Sequence, residues 1–218
     1  MAPSFHVLEG IDGCGKTTAM NTIRDYLTEK NVPFEIVSAF PTDEEGMRMR
    51  NIWINKQVPD PGIISIVLYL RNRVLQEQII PALQAGKMVI SDRWHDTTWA
   101  YNHYGSGVPF SLISQLFMYY DHQSTVPRNV QNLLHNYNML YFDVPLSVSR
   151  ARINNSGREK DAFESSKDDF FNRVISGYEK RIEIHQTNTC GHLARIDATG
   201  TPEEVGMHIK GHFANWLE

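Results

Sequence analysis

Gly10-Ile11-Asp12-Gly13-Cys14-Gly15-Lys16-Thr17 satisfies the phosphate-binding pattern G-x-x-x-x-G-K-[ST] at every fixed position. Glycines at these points let a backbone fold around an anion with its N–H groups pointing inward. A helix starting near Lys16 presents its positive end to the same phosphates. Lys16 then reaches the outer phosphates and Thr17 offers a hydroxyl to magnesium, with Thr18 beside it. A glycine-rich surface turn is the plain alternative. This loop, however, follows the apolar run Phe5 to Leu8 and precedes a segment with helical spacing, the context the chemistry needs. Asp92 directly follows a second apolar run in the string VISDR. Its carboxylate is expected at the carboxyl end of a strand, where open α/β sheets place ligands. There it can join Thr17 on magnesium or take a proton from an acceptor. Arg93 supplies a planar fork suited to a phosphate. The structural alternative is a helix N-cap aspartate beside a solvated arginine.

These groups need a scaffold that brings residues 10–18 and 92–93 to one edge. Apolar runs with β-type composition alternate with longer helical patterns. Strands are expected near 5–9, Phe34–Ser38, Lys87–Ser91, Met139–Val144 and Leu193–Asp197. Helices are expected over roughly 16–30 and 43–55, then from the Pro-Asp-Pro-Gly turn at 59–62 to Leu83, with Pro81 a disturbance. Others are expected over Pro145–Asn155, Lys167–Gln186 and Thr201–Leu217. Short unalternating strands separated by helices predict a three-layer α/β domain with a five-stranded parallel sheet. The whole chain, 1–218, reads as one such domain.

At 218 residues the chain is long enough for one well-buried core. Its net charge of −4 argues against a nucleic-acid surface, which carries a basic excess, so phosphate-binding charge must be local. Cys14 and Cys190 offer no disulfide framework. The first residues lack the basic and apolar regions of a secretory signal, and no run approaches a membrane span. A cytoplasmic setting is the expectation.

Four segments carry a resemblance. EGIDGCGKTT at 9–18, SDRWHDTTWAY at 91–101, DFFNRVISGY at 169–178 and IDATGTPEEV at 196–205 resemble the thymidylate kinase family of phosphate-loop kinases, in that family's order and at close to its spacing. The resemblance covers most of the chain apart from about 121–137. It implies transfer of the γ-phosphoryl group of MgATP to dTMP, and a homodimer joined through helices. Carried over by position, it implies that Asp12 holds the acceptor 3′-hydroxyl and that Tyr69 stacks on thymine. Arg73 would address the base's O4, Arg93 would bind the acceptor phosphate, and Tyr101 would pack under the deoxyribose. Phe40 and Thr97 join this acceptor set, and Arg150 resembles the arginine over the donor adenine. Positions 69 and 73 are i and i+4, which puts both on one helix face.

Residues 154–169 are polar, with one glycine and no apolar period, and read as a mobile lid. Arg158 and Lys160 give it cationic tips, Arg158 being the first choice to meet charge on the transferring group. The sequence departs from the family in three places. Ala39-Phe40-Pro41 stands where the family has Arg-x-Pro, leaving Arg48, Arg50 or Arg71 to compensate. The phosphate loop has Gly13-Cys14 and no arginine, while Ala162 fills a lid position often held by one. Residues 121–137 read as an insertion. Glu204, His208 and His212 share i, i+4 spacing but read as a solvated face, and Cys14 is given no catalytic role. Trp94 and Trp99 fit either a pocket wall or the core. The expected activity is a dTMP kinase, with a broader deoxynucleoside monophosphate kinase or a nucleotide-binding switch as rivals.

Overall fold

A computed structural model describes residues 2–56, 61–123, 126–157, 163–187 and 191–217. In chain order the elements are β1 (Ser4–Glu9), α1 (Lys16–Glu29), β2 (Phe34–Val37), α2 (Glu44–Lys56), α3 (Pro61–Val74), a π-helical turn (Leu75–Ile79) and α4 (Ile80–Gln84). There follow β3 (Met88–Asp92), the short α5 (His95–Thr97), a second π-helical stretch (Thr98–Gly105), α6 (Phe110–Gln123) and α7 (Arg128–His135). The chain ends with β4 (Asn138–Asp143), α8 (Leu146–Asn155), α9 (Asp168–Thr187), β5 (Leu193–Asp197) and α10 (Pro202–Leu217). Among the described residues no helix is long and apolar enough to cross a membrane.

The five strands form one parallel sheet in the order β2-β3-β1-β4-β5. Sequence and burial agree on why. The central strands β1, β3 and β4 are buried nearly end to end, as a sheet covered on both faces requires, whereas the edge strand β5 alternates. β1 lies between β3 and β4, so the loop leaving β1 emerges beside the end of β3. The register pairs Leu8 with Asp92. That pairing, fixed by apolar side chains, brings the phosphate loop and the Asp92-Arg93 step together.

The long helix expected to run to Leu83 is interrupted. Pro81 has no N–H to donate one turn back, and the preceding turn, Leu75–Ile79, widens to π geometry. α9 crosses close over the 98–105 stretch. A Cβ on Gly177 would lie 2.7 Å from the Tyr104 ring, so the absence of a side chain there permits the approach. This crossing carries Tyr178 and Tyr101 toward the end of β1. Within 121–137 the structure shows α7 and a Tyr137 hydroxyl that donates to Asp96.

Candidate active site

The loop after β1 turns through three glycines with positive φ: Gly10 (141°), Gly13 (75°) and Gly15 (105°). Gly13 also packs on α8, where a Cβ would meet the Ser149 carbonyl at 2.8 Å. Lys16 opens α1, and its Nζ donates to the Gly10 and Ile11 carbonyls, each at 3.1 Å. Cys14 is buried, with its Sγ 3.4 Å from that ammonium. Thr17 and Thr18 are exposed on a cleft of about 600 Å³ that begins at this loop. Asp12, Lys16, Asp92, Arg93, Thr97, Tyr101 and Phe40 all line the same cleft.

Arg93 is its organising group. Its backbone takes a φ of 70°, rare for a residue with a Cβ and a form of strain that collects at functional sites. Nη2 donates to Asp12 Oδ1 at 2.6 Å, while Nη1 donates to the Gly10 carbonyl (2.8 Å), Tyr178 (3.0 Å) and Thr97 (3.2 Å). The Tyr101 hydroxyl donates to Asp12 Oδ2 at 2.7 Å, and its ring lies 5.1 Å from the Arg93 guanidinium carbon. Burial alone would raise the Asp12 pKa. The charges of Arg93 and Lys16, with the Tyr101 hydrogen bond, outweigh it and hold Asp12 below the ordinary carboxylate range. Arg93 in turn stays fully charged, because Tyr101 and Asp12 offset its desolvation.

Two residues behind this set carry no role in the sequence reading. Glu9 is completely buried and accepts from the Trp94 N–H (2.7 Å), the Thr97 N–H (3.3 Å), the Thr97 hydroxyl and the Tyr178 hydroxyl (3.1 Å). Burial, then repulsion from Asp96, pushes its pKa up, although Thr97, Arg93 and the Trp94 N–H oppose this. Tyr178 reaches in from α9. A buried acid at the last position of an apolar strand was the available signal for Glu9. Tyr178 had none beyond its membership of one matched segment.

Three of the expected residues do not line the cleft. Arg73 stands outside the cleft, where it pairs with Asp43 (2.8 Å), Glu77 (3.0 Å) and Glu45 (3.5 Å). Tyr69 shares that outward face, is 37% exposed, and does not line the cleft. The inward arginine of α3 is Arg71, two residues and about 200° around the helix. It is buried, its Nε and Nη1 have no partner, and its guanidinium carbon lies 5.7 Å from the Phe40 ring centre. Burial pushes its pKa down to about 10, with the nearby Arg93 charge contributing, while Glu9 pulls the other way. Arg71 therefore remains a cation.

Arg150 is the third. It leaves the donor side, donates to the carbonyls of Glu164 and Ser166, pairs with Asp168 at 3.1 Å, and lies over Phe171 at 4.6 Å. Arg152 instead turns to the phosphate loop, with its Nη1 donating to the Cys14 carbonyl at 3.4 Å. It donates to the Ala198 carbonyl at 2.8 Å and lines both the cleft and an adjoining hollow of about 150 Å³. That hollow is walled by small residues of α1 and α10, including Ala19 and Gly206. Of the arginines left to compensate for Ala39, Arg50 lines the cleft, and Arg48 and Arg71 do not. Phe40 joins Trp53 and Phe163 in an aromatic wall, with ring centres 5.2 and 5.0 Å apart in turn. Trp94 and Trp99 line a different hollow. Arg158, Lys160 and Ala162 lie outside the described residues. Glu204 is occupied at the start of α10, where it accepts from the Thr201 N–H (2.8 Å) while Thr201 caps the Glu204 N–H (3.2 Å).

Asp92 Oδ1 is buried without a hydrogen-bond partner at the end of β3, and the Thr17 hydroxyl opens on the same cleft. Hard oxygen donors of this kind fit magnesium.

Related sequences identify the family. A family model described as Thymidylate kinase matches residues 8–209. A thymidylate kinase of Carboxydothermus hydrogenoformans is 32% identical over 213 residues, covering 97% of this chain and 97% of the relative. One from Neisseria meningitidis serogroup B is 36% identical over 220 residues, with 98% and 99% covered. Another, from Chromobacterium violaceum, is 33% identical over 221 residues, with 98% and 95% covered.

Proposed function

The chain belongs to the thymidylate kinase family, and from that premise we propose how this cleft carries out the family's reaction, MgATP + dTMP → ADP + dTDP. Magnesium, when bound, neutralises charge on the donor phosphates, with Thr17 and Asp92 the residues that would hold it. The phosphate-loop amides and Lys16 hold the donor, while Arg152 and the hollow beside α10 receive its base. An oxygen of the dTMP phosphate attacks the γ-phosphorus as the bond to the β-phosphate oxygen breaks, and ADP leaves with that electron pair. A phosphate nucleophile has no proton to lose, so the step needs no general base, and Asp92 serves the metal. Catalysis then rests on alignment and charge.

The observation that carries this reading is the Arg93 guanidinium, held by Asp12, Gly10, Thr97 and Tyr178 on the cleft floor beside the loop. Its fork is fixed where an acceptor phosphate would meet a donor on Lys16. We assign Arg71 to the acceptor base on its two unsatisfied nitrogens and its place against Phe40, although it, like Arg73, does not line the cleft, and Tyr101 to the sugar. Arg158 remains the proposed lid cation. The exposed side chains of Tyr69 on α3 and of Met118 and Tyr119 on α6 support a homodimer through these helices. Work on free nucleotides in the cytoplasm fits such an enzyme.

A coupled assay of ADP release with dTMP, dUMP, dCMP, dGMP and dAMP tests the reading. dTMP should lead, and dUMP should follow within about 10- to 200-fold, the worth of one methyl. A buried cation facing the cytosine amino group should set dCMP back by about 10⁴-fold. Ala39, where the family has an arginine, favours a second reading with a wider acceptor range; comparable rates on dTMP and dCMP would establish it.

A further inference from the structure

A second cavity, of about 480 Å³, shares no lining residue with the nucleotide cleft. Its walls include the rings of Trp94, Trp99, Phe117 and Tyr137, contributed by the chain after β3, α6 and the residue before β4. Nothing in phosphoryl transfer uses it. Two polar groups in these walls have no partner: the Nε1–H of Trp94, a residue 3% exposed, and the Nε2 of His185, a residue 8% exposed. Buried groups of this kind are nearly always satisfied in folded proteins, and two orphans in one cavity point to an occupant that completes them.

The walls also say what that occupant is. Arg181 also lines the cavity, and its Nε is tied at 2.7 Å to the buried Asp96, which the Tyr137 hydroxyl bonds as well. That cation is therefore already neutralised. Burial, then the charges of Arg71 and Arg181, keeps His95 neutral, and burial with Arg181 lowers His185. Arg181 is the one lysine, arginine or carboxylate residue among the described residues that line the cavity, so its own walls offer an ion no unpaired charge. The surfaces offered are flat: His95 stacks on Trp94 with ring centres 4.4 Å apart, and Phe117 lies 4.5 Å from His95. Trp94 Nε1 can only donate, so the occupant must accept. The volume falls within the usual range for small-molecule sites.

We propose that this cavity is a second small-molecule site, taking an uncharged planar heteroaromatic compound of one or two rings with an acceptor atom for the Trp94 indole N–H. The wall is continuous with the reaction centre, since the backbone N–H of Trp94 donates to Glu9 at 2.7 Å.

The probe is coumarin, an uncharged two-ring lactone, added to the full chain with its cleft filled by ADP and dTMP. The four tryptophans give four indole N–H signals in a nitrogen–proton NMR spectrum, assigned by single Trp→Phe variants. The signals of Trp94 and Trp99 should shift saturably, with Trp53, in the cleft wall, and Trp216 unmoved. Trp94→Phe keeps a ring but removes the donor, and followed at Trp99 it should weaken binding about fivefold to tenfold. Leu134→Phe and Ile184→Phe, which fill the cavity from α7 and α9, should each weaken it by more than tenfold. The proposal is overturned by an absent or unsaturable Trp94 shift, by a shift confined to Trp53, or by unchanged binding in both filling variants.

Discussion

Arg93 donates to four different residues, and that fixes the plane of its guanidinium on the cleft floor. A cation locked this way loses little freedom on meeting a phosphate, which is how alignment lowers a barrier without covalent chemistry. Arg71 is the opposite case. It is buried with two nitrogens unsatisfied, so a ligand that reaches it gains a charged hydrogen bond where none was made. Such a bond contributes about 1.5–3 kcal/mol, or roughly 10- to 150-fold. Arg71→Met should therefore lower kcat/KM for dTMP by that factor and narrow the gap to dCMP. Arg73→Met, on the outward face with its acidic partners, should leave both ratios within about twofold. Steady-state kinetics on the two acceptors decide it, and reversed effects would restore Arg73 to the site.

α3 and α8 each carry two arginines two positions apart, and on each helix our proposed role falls to the arginine that the sequence reading did not choose. The reason is geometric. A spacing of i and i+4 says that Tyr69 and Arg73 share a face, but not whether that face looks inward. The buried positions Ile63, Ile64, Val67, Leu70 and Val74 place Arg71 on the core side, a pattern legible in the sequence once weighed. Arg150 and Arg152 had no such guide, because α8 has only Ser149 and Ile153 buried. The strands and the phosphate loop were legible because buried apolar runs and glycine geometry are local properties. Glu9 and Tyr178 meet across 169 residues and leave no local trace. The two α8 arginines should part kinetically. Arg152→Ala should raise the KM for ATP about tenfold with dTMP little affected. Arg150→Ala should instead lower kcat, because it frees the 163–168 segment that Arg150 ties to α8 and α9. A matrix of initial rates over both substrates separates these patterns, and identical effects would refute the division.

At the scale of the whole molecule two properties stand out, one set at the surface and one behind the cleft. The exposed Met118 and Tyr119 of α6 support the proposed dimer, so Met118→Glu with Tyr119→Glu should give a monomer by sedimentation equilibrium. The other is the response of stability to pH, to which Glu9 and Asp12 contribute with opposite sign. Asp12 is held below its ordinary value of 3.8, so its contribution is present above that pH and is lost as the pH falls through the lowered value. Glu9 is raised above 4.5, chiefly by burial and then by Asp96. Its carboxyl binds a proton more tightly folded than unfolded. The stability it gives is therefore complete below 4.5 and declines as the pH rises through the raised value, at no more than about 1.4 kcal/mol per pH unit. Glu9→Gln removes that titration and keeps the shape. Its oxygen can still accept from the backbone N–H groups of Trp94 and Thr97, while its amide can donate to the hydroxyls of Thr97 and Tyr178. Urea unfolding at fixed protein concentration from pH 4 to 9 should show the wild type losing stability relative to Glu9→Gln as the pH rises from 4.5. The two should run parallel again once Glu9 is ionised in both states. Parallel curves throughout would mean that Glu9 titrates alike in the folded and the unfolded chain, and that the hydrogen bonds around it, rather than its charge, hold the Arg93 segment in place.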